Sequence, residues 1–329
     1  MVEFVTKPYN DQEIFNILNP LVKKWFKGKF KTFCVPQQFG VMPIHSRENV
    51  LISSPTGSGK TLTAFLSVLN ELIDSSEKGI LEDKIYCVYI SPLKALSSDI
   101  QINLLEPLLE MEAISEKKLN IRVAVRTGDT DTSEKAKQLK KPPHILITTP
   151  ESLAIVLSSI KFIDHLKDVQ WCIVDEVHAL AENKRGTHLS LSLERLQKIC
   201  PAMARIGLSA TIAPLEEIAK YLVGYEGNGE RPCKIVDVQF TRKFDEQISG
   251  VPEKQSFSEH IKKLDLKVLS PVPDLIDMEH GTMHHAMYEL MHDLIQTHKT
   301  TLIFTNTRSA TERVVHNLKE KFPKFYAEN

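Results

Sequence analysis

An apolar triplet, Val50-Leu51-Ile52, runs into Ser54-Pro55-Thr56-Gly57-Ser58-Gly59-Lys60-Thr61 and then into helical spacing at Leu62, Phe65, Leu66 and Leu69. A strand feeding a glycine-rich turn that opens a helix is the setting of a phosphate-binding loop, and it constrains the fold more than any other segment. Gly57 and Gly59 let backbone N–H groups close round phosphate oxygens where a Cβ would clash. Lys60 offers a point charge to the β- and γ-phosphates, and Thr61 a hydroxyl for Mg²⁺. Ser54 stands where such loops usually carry Gly or Ala, a departure its short side chain tolerates. A chance glycine-rich turn is the plain alternative; the strand and helix on either side weigh against it.

The same alternation continues along the chain. Strands are expected at 49–53, 85–91, 121–126, 144–148, 171–175 and 205–209, and helices near 60–73, 93–110, 131–139, 151–157, 187–199 and 214–223. Strand alternating with helix at this spacing predicts an α/β fold, a parallel sheet with helices on both faces. The near-continuous apolar runs Tyr86–Ile90 and Trp171–Val174 suit strands buried on both sides. At 329 residues the chain suggests two domains. Gly224, Gly227, Gly229 and Pro232 crowd a short polar stretch, which places the boundary there. The expected organisation is a helical extension over 1–35, a first domain over 36–232 and the start of a second over 233–329. In the latter, 249–281 lacks periodicity and reads as loop or hairpin, followed by a helix at 284–297, a strand Leu302-Ile303-Phe304 and a helix at 310–320. That unit is short for a second domain of the first one's kind, so the chain reads as cut off.

Composition excludes several classes. With 42% apolar and 25% charged residues the chain is an ordinary globular one. A net charge of −1 means that any grip on phosphate backbones must come from local clusters. Five cysteines, at 34, 87, 172, 200 and 233, show no CxxC spacing, and Cys87 and Cys172 lie in apolar strand patterns as expected for reduced buried thiols. No apolar stretch reaches membrane-spanning length and the N-terminus is no signal peptide, so a cytoplasmic location is expected.

A second group of residues complements the glycine loop. Asp175 ends a buried strand, from which a carboxylate can reach a cation beside the phosphates. Glu176 can polarise an attacking water, and His178 can bridge that region to Ser209-Ala210-Thr211 at the end of another strand. An acidic pair after a strand is by itself equally a helix cap. Asp-Glu-Val-His followed by Ser-Ala-Thr, downstream of the glycine loop, is far more specific.

This order of motifs resembles the superfamily 2 helicases, whose acidic motif is the DExH box. Further segments are similar to the Lhr (large helicase-related) family: Tyr89–Leu96, Arg126–Thr130, Pro143–Leu153, Lys184-Arg185-Gly186, Arg205–Ile212 and Leu302–Arg308. The resemblance covers roughly residues 20–320. It implies two RecA-like domains, the second one partial here, that clamp ATP and Mg²⁺ and draw a single strand across both. Lys60, Asp175, Glu176 and His178 would then be catalytic, Thr61 and Asp175 would hold the metal, and Ser209 and Thr211 would couple the ATP site to the strand. Gln37, 23 residues before Lys60, would read adenine through its amide. Gln38 competes for that role, and an ordinary helix-start glutamine is the alternative. Pro92, Lys94, Arg126, Thr127, Gly128, Thr149 and Glu151 occupy strand-end loops expected on one rim, with Thr305 and Arg308 repeating the arrangement in the second domain. Such groups hold the sugar–phosphate chain without reading bases; each one singly is as well explained as a cap or a surface loop.

The family also implies 3′→5′ movement on single-stranded DNA, opening of duplex DNA or RNA–DNA hybrids, and a place in DNA repair or recombination. The chain departs from it in one respect: no residue after Arg308 supplies the late arginine motif that reaches the γ-phosphate. Slow hydrolysis is therefore expected unless a C-terminal remainder or a companion chain completes the site. A non-catalytic, ATP-gated binding module is the competing reading, and an ATPase unrelated to nucleic acid a third. Lys23–Lys31, with Trp25, Phe26 and Phe30, reads as a docked helix end or a nucleic-acid patch. Lys135, Lys137, Lys140 and Lys141 read as a solvated face, and His280, His284, His285 and His292 as an exposed helical face in preference to a metal site.

Overall fold

The computed structural model describes residues 2–92, 100–238, 267–272 and 280–326. The chain divides into two compact units, Met1–Val251 and Pro252–Asn329. The strands of the first unit are β1 (Val2–Phe4), β2 (Val50–Ser53), β3 (Cys87–Ile90), β4 (Val123–Arg126), β5 (Ile145–Thr148), β6 (Trp171–Val174), β7 (Ala204–Ser209), β8 (Tyr225–Glu226), β9 (Gly229–Glu230) and β10 (Cys233–Asp237). Eight of them form one sheet in the order β1-β10-β2-β7-β6-β3-β5-β4, and every pairing in it is parallel. The six strands expected from sequence are among them. So are the helices α4 (Lys60–Glu77), α6 (Thr132–Lys140), α7 (Pro150–Leu157), α9 (Lys184–Ile199) and α10 (Leu215–Val223). The remaining helices are α1 (Asp11–Ile17), α2 (Pro20–Lys29), α3 (Val35–His45), α5 (Glu106–Ile114) and α8 (Val177–Ala181). The first turns of the helix expected at 93–110 lie outside the described residues; the chain resumes there as a π-helical turn, Gln101–Leu105, leading into α5.

Alternate residues along each strand enter two different cores, the period-2 rule applied to a sheet covered on both sides. Val50, Ile52, Tyr89 and Ile173 pack with α1–α5, while Leu51, Val88, Ile90 and Val174 pack with α7, α9 and α10. Full burial of each such side chain is worth about 1.5–3 kcal/mol. At Gly207 on β7 a Cβ would stand 2.7 Å from Leu222 and 2.9 Å from Leu51, so glycine is what lets α10 seat on the sheet.

Two boundaries differ from the expectation. Residues 224–232 do not end the first domain: β8 and β9 fold into a short hairpin there, and β10 then inserts beside β2, from Lys234↔Val50 to Asp237↔Ser53. A polar, glycine-rich stretch looks alike whether it is a linker or a hairpin; only the strand that follows distinguishes them. Residues 1–35 are no appended extension either. β1 pairs with β10, and Ile14, Val22, Trp25 and Phe26 are buried in the main core. The basic–aromatic stretch is thus a docked helix: Trp25 Nε1 donates to Glu110 at 2.6 Å, and Lys27 lies 4.7 Å from the Phe15 ring centre.

In the second unit α11 (His280–Thr297) and α12 (Arg308–Lys321) match the expected helices. The expected strand at 302–304 does not form. Those residues carry no strand assignment, with Leu302 78% and Phe304 90% exposed. A strand exists through its pairing partner, and no other strand occurs among the described residues of this unit. His292 stacks on Phe322 at 4.0 Å and meets the Tyr326 hydroxyl at 2.9 Å. The expected loop at 249–281 lies largely outside the described residues.

At the amino end of β5 the His144 ring is buried. Its Nδ1 accepts from the Arg122 N–H at 3.0 Å, and its Nε2 has no partner among the described residues. Burial, reinforced by nearby Arg122, pushes its pKa down to about 4. A folded pKa below the unfolded value means that the unfolded state binds the proton first. Stability is therefore lost as pH falls from about 6.5, the usual histidine value, towards 4. His144→Asn keeps an acceptor for Arg122 and removes the titration. Its urea midpoint is expected to fall less between pH 7 and pH 5 than that of the parent.

Candidate nucleotide site and the rim around it

Parallel pairing brings the carboxyl ends of β2, β7, β6 and β3 side by side, and the connection from β2 to β3 passes over β7 and β6. Such a rim, where the strand order jumps, is where open α/β sheets bind ligands. Neighbouring loops are tied across it: Ser54 N–H donates to Ser209 O at 3.2 Å, Asp175 N–H to Ile90 O at 2.9 Å, and Ser91 N–H to Thr148 O at 3.0 Å.

A cavity of about 490 Å³ opens on this rim, bordered by Thr56, Gly57, Gly59, Lys60 and Thr61 from one loop and by Asp175 and Glu176 from another. Ser91, Pro92, Ile102 and Asn103 complete its wall. Gly57 and Gly59 hold φ of 76° and 94°, the left-handed region that favours glycine. The loop is also braced from within, with Ser54 and Ser58 hydroxyls 2.6 Å apart and Thr63 Oγ1 donating to Gly59 O at 2.9 Å. Thus Ser54, the departure in the motif, contributes a hydrogen bond to Ser58. Pro55 begins the turn, and its carbonyl accepts from Ser58 N–H at 3.4 Å.

The acidic pair is held with equal care. The Tyr89 hydroxyl donates to Asp175 Oδ2, while Glu176 N–H donates to Asp175 Oδ1 at 2.9 Å. Tyr89 itself stacks on Phe65 of α4, 5.2 Å between ring centres. Glu176 sits at φ 48°, ψ 42°, a left-handed conformation costly for a non-glycine residue and typical of functional turns. It swings the chain so that α8 starts at once and brings His178 back. Ala210 N–H donates to His178 Nδ1 at 3.2 Å, so in the neutral ring the proton lies on Nε2, which faces Glu176 Oε2 at 3.1 Å. The Ser209 hydroxyl lies 3.2 Å from the same Nδ1. One imidazole therefore links the cavity's carboxylate to the end of β7. Thr211 lies apart and exposed, on a separate pocket with Ser53 and Pro214.

Of the two adjacent glutamines, Gln37 is the one beside the glycine loop. Its Oε1 accepts from Cys34 N–H at 3.0 Å, capping α3, and its Nε2 lies 3.7 Å from where a Gly59 Cβ would stand. Gln38 instead donates to Asp11 at 3.2 Å.

Those residues expected to hold nucleic acid that are described in the first unit are engaged within it. Arg126 lies 4.4 Å above the Phe162 ring and donates to Lys135 O and Gln138 Oε1, both at 3.2 Å. Thr127 N–H donates to Thr130 Oγ1 at 2.9 Å, and Gly128 O accepts from Lys135 Nζ at 3.3 Å. Thr149 caps α7, its Oγ1 accepting from Ser152 N–H at 3.3 Å. Glu151 forms a two-point ion pair with Arg185, Nε–Oε1 2.6 Å and the second oxygen at 3.3 Å, which holds its carboxyl down to about 2. Lys94 lies outside the described residues. Thr305 belongs to the second unit, where its hydroxyl lies 2.6 Å from that of Thr311, and Arg308 opens α12. Sequence reasoning overlooked Tyr89, Asn103 and Arg185 as parts of the site. Tyr89 carries the same strand pattern as any core aromatic, and Arg185 stood only within a motif.

The DEAD/DEAH box helicase family profile matches residues 35–218. The chain is 54% identical over 330 residues to the ATP-dependent helicase Lhr-Core protein 2 of Thermococcus barophilus, covering 99% of this chain and 36% of that protein. It is 50% identical to the ATP-dependent helicase Lhr-Core of Methanothermobacter thermautotrophicus, covering 100% of this chain and 36% of the relative. The chain thus spans about a third of the length of these relatives. Among solved structures, the Mycobacterium smegmatis helicase Lhr bound to ssDNA and AMP-PNP superposes with a TM-score of 0.77 at 35% identity. That match covers 94% of this chain and 37% of the other. The DEAD-box helicase Mss116, at 18% identity and a TM-score of 0.69, shares the RecA-like fold.

At Gly59 a Cβ would lie 2.7 Å from Cys34 Sγ as well as adopting a left-handed backbone. Gly59→Ala is expected to cost roughly 1–3 kcal/mol of stability by denaturant titration. Adding Cys34→Ala relieves the contact but not the backbone strain, so it should recover only part of the loss.

Proposed function

This chain belongs to the DEAD/DEAH box helicase family, and we propose that it is the motor part of an ATP-dependent helicase of the Lhr type. It binds ATP on the glycine loop and couples hydrolysis to movement along single-stranded DNA. The observation that carries this reading is the convergence of Lys60, Thr61, Asp175 and Glu176 on one cavity, with His178 joining Glu176 to the end of β7.

The chemistry follows from placement. Backbone N–H groups of the glycine loop and the Lys60 ammonium hold the β- and γ-phosphates. Glu176 orients the attacking water; phosphoryl transfer depends more on positioning and charge stabilisation than on covalent help. Thr61 and Asp175 fit a divalent cation, since a hydroxyl and a carboxylate, both hard oxygen donors, border the same cavity. When bound, Mg²⁺ neutralises phosphate charge. Tyr89 and the Glu176 N–H keep the Asp175 carboxylate in one orientation for that task. Gln37, next to the loop, is the residue for the adenine edge. Ser209 reports through His178 on the state of the site, with Thr211 as its partner in coupling.

The nucleic-acid path runs along the loops after β3, β4 and β5, with Pro92, Lys94, Arg126, Thr127, Gly128, Thr149 and Glu151 as its contacts. Thr305 and Arg308 supply the corresponding contacts in the second domain. Movement 3′→5′, opening of duplex DNA or RNA–DNA hybrids, and service in repair or recombination rest on the family resemblance.

In the full-length protein, Lys60→Ala is expected to weaken binding of a fluorescent ATP analogue about tenfold to a hundredfold, the range of a charged hydrogen bond. Glu176→Gln should bind the analogue normally yet lose about a hundredfold or more in DNA-stimulated phosphate release. Retention of full turnover by Glu176→Gln would remove it from the role of water-orienting base. DNA affinity that does not fall with added salt would count against phosphate contacts.

A further inference from the structure

Arg185 is joined to parts of the chain that lie 34 and 93 residues away. Its Nε and one terminal nitrogen, Nη2, grip both oxygens of Glu151, in the first turn of α7, at 2.6 and 3.3 Å. The same Nη2 donates to the carbonyl of Pro92 at 2.9 Å, and Pro92 forms part of the cavity wall with Lys60 and Asp175. One guanidinium thus spans the loop after β3, the loop after β5 and the start of α9.

The corner that presents it is fixed from several sides. Asn183 Oδ1 accepts from Arg185 N–H at 2.9 Å and from Gly186 N–H at 3.1 Å, capping α9. At Gly186 a Cβ would fall 1.8 Å from Leu180 O, so only glycine lets α9 begin this close to α8. The Tyr221 hydroxyl donates to Gly186 O at 2.8 Å, clamping the turn from α10. Since α8 starts directly after Glu176, the anchor of Arg185 is continuous with the acidic motif of the cavity.

Stability does not account for this arrangement. The Arg185 and Glu151 side chains are 45% and 51% exposed, and an exposed pair contributes little to folding. Its consequence is geometric, because three bonds from one planar fork fix the relative positions of two loops.

We propose that Arg185 is a positioning residue that ties the Pro92 wall of the nucleotide cavity to the first turn of α7 and thereby carries the coupling between nucleotide and single-stranded DNA. This rests on the helicase reading above. A shift of the Pro92 loop on nucleotide binding passes through the guanidinium to the Thr149–Glu151 helix start, and a strand seated there passes its effect back. Coupling is reciprocal, so each ligand must alter the other's affinity by the same factor. An ammonium at this position cannot serve Glu151 in two-point fashion and the Pro92 carbonyl together.

The test measures affinity of a fluorescent AMP-PNP analogue for the full-length protein, with and without saturating oligo-dT, in the parent, Arg185→Ala and Arg185→Lys. The parent is expected to bind the analogue several-fold more tightly with DNA present, and both variants should bring that ratio to within about twofold of one. Arg185→Lys retains charge and bulk, so it provides the reading if the alanine variant fails to fold. A parental ratio in both variants, or full rescue by lysine, overturns the assignment. So does a drop of about one in the salt slope of DNA binding in Arg185→Ala, which would mark Arg185 as a direct phosphate contact instead. A parent protein in which DNA leaves analogue affinity unchanged overturns both this proposal and the helicase reading. Coupling that survives in both variants overturns this proposal alone.

Discussion

Parallel pairing of eight strands is the constraint on which the rest depends. In such a sheet every strand ends on the same rim, so loops distant in sequence become neighbours. The glycine loop after β2, the acidic turn after β6 and the Ser-Ala-Thr end of β7 meet because β7 lies between β2 and β6 in the sheet. The backbone bond from Ser54 N–H to Ser209 O marks that meeting. Without the register Ser53↔Ser209, the same motifs would be separate turns.

Within that frame the site is built from side chains whose freedom has been removed. Asp175 is held on both oxygens, Glu176 is forced into a left-handed turn, and His178 is oriented by a backbone donor just past the end of β7. Each of these restrictions costs entropy or strain, and the surrounding core offsets them. Phosphoryl transfer gains from such preorganisation, because groups already placed need not reorganise as charge develops. The rim residues beyond the cavity show the same economy. Arg126, Thr149 and Glu151 are bound into the unit, so the proposed interface would rest on loops braced by their own hydrogen bonds.

Legibility in the sequence varied with the kind of signal. Strands β2 to β7 could be located because each is an apolar run between turn signals, and the helices between them because their periodicity is long. β1 and β10 were not recognised: one has three residues, and the other follows a glycine-rich stretch that imitates a linker. Both became strands only through pairing, β10 against β2 and β1 against β10. The reverse error occurred at Leu302–Phe304, where strand-like residues found no partner among those described. The role of Tyr89 was not legible because a hydroxyl aimed at Asp175 and one aimed at solvent are spelled identically.

The sequence by itself determined the chemical groups: glycines that take a left-handed turn, a lysine and a hydroxyl beside them, and a carboxylate pair at a strand end. These depend on residue type and short spacing, which a linear text records. The tertiary structure alone decided that Tyr89 acts with Asp175 and Arg185 with both Glu151 and Pro92. Those contacts bridge 34 to 93 residues of chain. They exist because strand order and the close seating of α9 at Gly186 bring the atoms within hydrogen-bonding reach, and no local pattern encodes that distance.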